Sequence, residues 1–122
     1  EGNVITVSAS GAYAGYLTYF QTPIFASDCN TIESKDETAL PTQLIFHLLK
    51  VLQPQFYKLQ RGQAQPHVYG NDIEKVKIPI IDKKYQGKIM EEIAELEEKA
   101  KTHVIKNIEE QKIIILKKYL NK

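Results

Sequence analysis

The sequence predicts an α/β (α+β) chain in which a small mixed globular region precedes one long coiled-coil-type α-helix. Three observations carry this. All five prolines and five of the six glycines lie in residues 1–82. Short runs rich in β-branched and aromatic residues open that stretch, as strands require. From about residue 83 an apolar stripe repeats at helical spacing. The expected boundaries are therefore 1–82 and 83–122, and a chain of 122 residues has room for one modest domain.

The elements follow in order. Residues 4–7 and 16–20 read as strands, and the small residues between them place turn positions at Gly11 and Gly15. Residues 23–26 are a third short strand candidate. A helix is expected over 41–52, with Pro41 in its first turn and Leu44, Ile45, Leu48, Leu49 and Leu52 on one face. Pro54 stands just past its end. Residues 62–70 read as a loop. Asp72 is expected to cap a short helical turn running to Val76. Residues 77–81, with Pro79 inside, read as an edge strand or extended segment.

Asp82 is the expected N-cap of the long helix. The stripe runs through Ile89, Ile93, Leu96, Ala100, Val104, Ile108, Gln111, Ile115 and Tyr119. Its steps average about 3.75 residues, nearer a straight helix than a strict heptad. A helix of that extent would be roughly 54 Å long, more than a small domain can cover. Ile89, Ile93, Leu96, Ala100, Val104, Ile108 and Ile115 are therefore expected to face a partner helix.

Composition excludes more than it identifies. Net charge is +1, so overall charge favours no partner. Charge placement says more: residues 38–71 hold no acidic side chain, while Lys50, Lys58 and Arg61 fall inside them. A local positive patch binds phosphate even on a near-neutral chain. The one cysteine, Cys29, excludes an internal disulfide and a multi-cysteine metal site, and a reducing cytoplasm is the simplest setting. No apolar run is long enough to span a bilayer. The opening Glu1-Gly2-Asn3, without methionine, reads as a piece of a longer protein.

Two segments hold chemistry of interest. Residues 8–16, Ser-Ala-Ser-Gly-Ala-Tyr-Ala-Gly-Tyr, let backbone approach a ligand closely, with hydroxyls and N–H groups for phosphate oxygens. A plain hairpin turn explains the same residues. Residues 58–69, Lys-Leu-Gln-Arg-Gly-Gln-Ala-Gln-Pro-His-Val-Tyr, contain the chain's sole arginine among glutamines. Arginine pairs bidentately with guanine and glutamine with adenine. A polar surface loop is the bland equivalent. Catalysis has weak support. His47 lies beside the apolar stripe of its helix, His103 lies along the long helix, and His67 suits DNA contact or structural hydrogen bonding. Cys29, between Asp28 and Asn30, reads as a buried or half-buried free thiol. The sequence shows no phosphate-binding glycine motif, no methyltransferase cofactor motif and no nuclease carboxylate–lysine cluster. No catalytic residue, metal site or cofactor is expected.

Residues 7–15, then 23–29, resemble the middle of a target-recognition domain of Type I restriction–modification specificity subunits. Arg61-Gly62-Gln63-Ala64-Gln65-Pro66-His67, followed by Ile73 and Val76-Lys77-Ile78-Pro79, resembles that domain's end. The helix then falls where the family places its spacer helix. One departure is the segment Ile80-Ile81-Asp82-Lys83-Lys84-Tyr85-Gln86, which keeps only the glutamine of the family's usual approach to that helix.

The resemblance implies a non-catalytic reader of double-stranded DNA that reads one half of a split target. A spacer helix would pair with a second helix, in cis or in a dimer, and dock methyltransferase subunits. A motor/endonuclease subunit would complete the assembly. Within that frame Arg61, Gln63, Gln65 and His67 are expected to contact base edges. Tyr13 belongs to the same surface, while Lys50, Lys58, Ser8 and Ser10 are expected to hold phosphate. Two alternatives stand beside this: the recognition module of a single-chain restriction–methylation enzyme, and a coiled-coil interaction protein without DNA binding.

Overall fold

The computed structural model describes residues 2–25, 27–79 and 81–120. Three strands, β1 (Val4–Ser8), β2 (Leu17–Phe20) and β3 (Cys29–Ile32), form an antiparallel sheet in the order β2-β1-β3. Val7 pairs with Leu17 on one side, and Ile5 with Ile32 on the other. Directly opposed residues share a face and neighbours along a strand alternate. Ile5, Val7, Leu17, Tyr19 and Ile32 therefore line one face, and Thr6, Ser8, Thr18 and Thr31 the other. The first face joins Ala14, Ile45, Leu49, Phe56 and Val68 in a single core.

The helix α1 (Thr42–Val51) packs on β1 and β2 through this face. Leu44, Ile45, Leu48 and Leu49 are buried and Leu52 half-buried, as the spacing predicts. Pro41 lies one residue outside the helix, as its N-cap with extended backbone. The missing cap is supplied by Glu37, whose carboxylate accepts from the Thr42 N–H at 3.0 Å and also from the Thr42 hydroxyl. These bonds, the hydroxyl's first, hold the Glu37 carboxyl below the usual carboxylate range. The helices α2 (Gln53–Tyr57) and α3 (Gly70–Ile73) follow as short turns.

Several expectations change here. Pro23, Ile24 and Phe25 form no strand, and Ala26 lies outside the described residues. The third strand comes later, at Cys29–Ile32, where Thr31 and Ile32 favour a strand, Asn30 does not, and pairing with β1 decides the conformation. Asp72 does not cap α3; Tyr69 holds that position and the helix ends at Ile73. Residues 77–79 and 81 form no strand, and Ile80 is outside the described residues.

Contacts divide the chain between Ile78 and Pro79. The second unit corrects the single long helix. Asp82 is the N-cap of α4, its side chain accepting from the Lys84 N–H at 3.3 Å, but α4 (Lys83–Ala100) stops and α5 (Ile108–Leu120) begins after a turn. The N–H groups of Thr102 and His103 both bond the Lys99 carbonyl, and Asn107 takes a φ of 57°. Asn tolerates that left-handed conformation better than most residues, and one such residue ends helical continuity. The two helices run antiparallel: Lys112 bonds Glu97 at 3.0 Å, Lys118 bonds Glu92 at 2.7 Å, and Tyr85 and Tyr119 lie 5.6 Å apart. Ile89, Ile93 and Leu116 are buried, whereas Val104, on the turn, is 96% exposed.

The Lys118 ammonium, and after it the Tyr119 hydroxyl, hold the Glu92 carboxyl below its ordinary range. A depressed carboxyl contributes stability above its unfolded pKa and loses that contribution as pH falls through the folded value. Lys118 is raised by the same hydrogen bond, so its contribution is lost as pH climbs through its folded value. The helical signal of the wild-type chain is expected to melt earlier on acidification through the carboxylate range. Glu92→Gln should flatten that acid slope in circular-dichroism melts taken at successive pH; an unchanged slope would remove Glu92 from the account.

Candidate nucleic-acid interface

Two loops carry the polar residues of interest. The first, residues 9–16, joins β1 to β2. Its turn is closed by Ala14 N–H to Gly11 C=O at 3.0 Å and Gly15 N–H to Ser8 C=O at 2.8 Å. Gly11 and Gly15 have φ of 93° and 98°, the region that favours glycine. A Cβ on Gly15 would lie 2.6 Å from the Phe56 carbonyl oxygen, whereas one on Gly11 meets nothing within 4 Å. The close backbone approach at Gly15 is thus to the chain's own α2.

The second loop, residues 60–69, is a hairpin closed by reciprocal main-chain bonds between Arg61 and His67, both 2.8 Å. It is tied to the first loop by Gly11 N–H to Pro66 C=O at 3.0 Å and Val68 N–H to Ala9 C=O at 2.9 Å. Gln60 Nε2 adds bonds to the carbonyls of Ala12 and Ala14 at 3.2 and 2.9 Å. Segments far apart in sequence therefore form one surface. Tyr13, Arg61, Gln63, Gln65 and Tyr69 are exposed on these two segments, and Lys58 is exposed at the end of α2 just before the second. The half-buried His67 ring stacks on Tyr69, with centroids 6.1 Å apart. Burial, then the neighbouring phenols of Tyr16 and Tyr13, push the Tyr57 phenol up, so three tyrosines gather at the first loop.

Three residues expected to hold phosphate have internal duties. Lys50 Nζ donates to the Leu17 carbonyl at 3.2 Å and to Gln53 Oε1 at 3.1 Å, and sits 4.2 Å from the centroid of the Tyr16 ring. Gln53 in turn bonds the Leu17 N–H and the Gly15 carbonyl. Lys50 therefore pins α1 to β2. The Ser10 hydroxyl donates to the Asp28 carboxylate, and the Ser8 hydroxyl to the Ser10 carbonyl at 3.4 Å. A carboxylate at Ser10 also opposes an anionic ligand there.

Arg61 is the candidate whose setting is most informative. Its Nε and Nη2 donate to the two carboxylate oxygens of Asp72 at 2.8 and 2.9 Å. The Asp72 side chain is only 9% exposed, while that of Arg61 is 63% exposed. Sequence reading treated Asp72 as a helix cap, because a pairing that depends on loop closure has no periodic signature. The remaining candidates are scattered. His47 is buried on α1 beside Phe46, Cys29 is a half-buried free thiol on β3, and His103 lies in the turn after α4 rather than along a helix. Among the described residues no group of His, Cys, Asp and Glu could hold a metal ion, and no helix is long and apolar enough to cross a membrane.

The family profile described as Type I restriction modification DNA specificity domain matches residues 1–115. The chain belongs to that family. A solved Type-I restriction-modification system S subunit from M. genitalium shares the fold of this specificity domain, with a TM-score of 0.67 at 21% identity. The likeness covers 83% of this chain and 27% of that one, so the specificity domain spans about a quarter of the S subunit it matches. No curated protein matches it.

The two turn glycines of the specificity domain should differ in a measurable way. Gly11→Ala meets only backbone strain, about 1–2 kcal/mol. Gly15→Ala adds a collision with the Phe56 carbonyl and is expected to destabilise by clearly more than that in denaturant titrations. Equal losses would mean that α2 does not constrain the first loop.

Proposed function

We infer that this specificity domain reads double-stranded DNA, without catalysis, as the recognition part of a Type I restriction–modification assembly. Family membership supports the class of function. The observation that carries the local reading is the pairing of residues 9–11 with 66–68, which presents both loops from one braced platform. Readers of sequence place polar side chains on rigid scaffolds, because a side chain held before binding loses less freedom on contact.

Within this reading Arg61, Gln63, Gln65 and His67 address base edges, and Tyr13 and Tyr69 supply flat contact area. Lys58, exposed and within the acid-free stretch, attracts the phosphate backbone. Lys50 and the hydroxyls of Ser8 and Ser10 brace the platform instead. The helical unit is the docking element for methyltransferase subunits or a second spacer helix. Ile89 and Ile93 are buried already, so the docking surface is drawn from Val104 and the half-buried Leu96, Ala100, Ile108 and Ile115.

The test is selection from a randomised duplex library with the full-length protein that carries this domain, assembled with its methyltransferase subunits. A split motif with a fixed gap is expected. Recovery of no motif from an intact assembly would overturn the reading. Lys58→Ala should weaken binding on all sequences alike and reduce the salt slope by about 1, because a phosphate contact carries no base information. A change of motif in that variant would instead make Lys58 a base reader.

A further inference from the structure

We propose that Asp72 is a positioning residue for Arg61, and that the pair forms a preset reader of one guanine in the major groove. The proposal rests on the DNA-reading function above and identifies a base and a second residue for it. The guanidinium has five N–H donors in a fixed planar fork. Asp72 takes one edge of that fork, through Nε at 2.8 Å and Nη2 at 2.9 Å. Among the described residues Nη1 has no partner. The free edge thus presents two parallel donors, from Nη1 and Nη2, which match the O6 and N7 acceptors of guanine.

Burial decides which partner does the holding. The Asp72 side chain is 9% exposed and that of Arg61 is 63% exposed, so the carboxylate is a fixed post and the guanidinium projects from it. Three constraints fix the post and the arm. Asp72 lies in α3, with its N–H bonded to the Tyr69 carbonyl at 3.1 Å. Arg61 is held at its backbone by the reciprocal bonds to His67. The hairpin that Arg61 opens is tied to the first loop at Pro66 and Val68. The side chain therefore loses little further freedom when DNA arrives. The carboxylate also offsets the arginine's charge, which weakens indiscriminate attraction to phosphate and leaves geometry to choose the base. Lysine could keep the charge but could not grip Asp72 and two acceptors together.

The experiment uses the full-length protein in its assembly, with library selection and competition binding on the recovered duplex. Wild type is expected to recover a motif with an obligatory guanine. Asp72→Asn should lower the preference for guanine at that one position about tenfold, the value of a bidentate pair. Preferences at other positions should not move, which a merely structural bridge would not predict, and the salt slope should steepen or hold, because Arg61 loses its counter-charge. Arg61→Lys should lose preference at the same position. An Asp72→Asn variant that selects the wild-type motif with undiminished strength overturns the proposal. If Asp72→Asn fails to fold, 7-deazaguanine, which lacks the N7 acceptor, replaces the guanine for wild type and Arg61→Lys. Wild type should lose about tenfold in affinity and Arg61→Lys nothing. An equal response of the two proteins, shared loss or none, overturns the assignment while the DNA-reading function stands. Absence of any motif with wild type overturns both.

Discussion

Two main-chain hydrogen bonds, Gly11 N–H to Pro66 C=O and Val68 N–H to Ala9 C=O, join the β1–β2 loop to the hairpin after α2. With the Gln60 side chain's bonds to the Ala12 and Ala14 carbonyls, they put the polar residues of two distant loops on one surface. Closing so long an intervening chain costs conformational entropy, which the buried core beneath offsets. Val68 belongs to that core with Val7, Leu17 and Phe56, so the bonded strip and the apolar cluster reinforce each other. The exposed side chains on the strip inherit a rigid frame.

Polar residues in this chain divide by partner, not by type. Lys50, Gln53 and Gln60 use their side chains to satisfy carbonyls and an N–H of the first loop and β2. Glu37 does the same for the start of α1. Lys58, Gln63 and Gln65 are exposed and suit intermolecular contact. Arg61 does both, with one edge on buried Asp72 and another directed outward. A buried polar group left without its partner is costly, so the bracing set is constrained by folding while the exposed set is not.

The helical unit shows how a local pattern can conceal a turn. The stripe from Ile89 to Tyr119 keeps helical spacing across residues 101–107, yet Asn107 adopts a left-handed φ and the chain reverses. Cross-helix pairs from Glu97 to Lys112 and from Glu92 to Lys118 and Tyr119 then hold the hairpin. Apolar periodicity reports which face seeks cover, and a chain can cover that face with itself or with another. Ile89, Ile93 and Leu116 are buried within the chain, and Val104 is left outside.

The amino-acid sequence by itself determined the mixed α+β class, the first two strands, the apolar face of α1, the turn glycines, the Asp82 cap and the specificity family. Each of these rests on local chemistry: alternation, helical spacing, a cap residue or a short motif. The two segments at residues 8–16 and 58–69 were legible as candidate sites for the same reason. Only the tertiary structure decided that they form one surface, that β3 is Cys29–Ile32, that Lys50 bonds the Leu17 carbonyl and Gln53, and that Arg61 is clasped by Asp72. These outcomes depend on which residues meet after the chain closes, and neither residue type nor spacing encodes a meeting between distant segments.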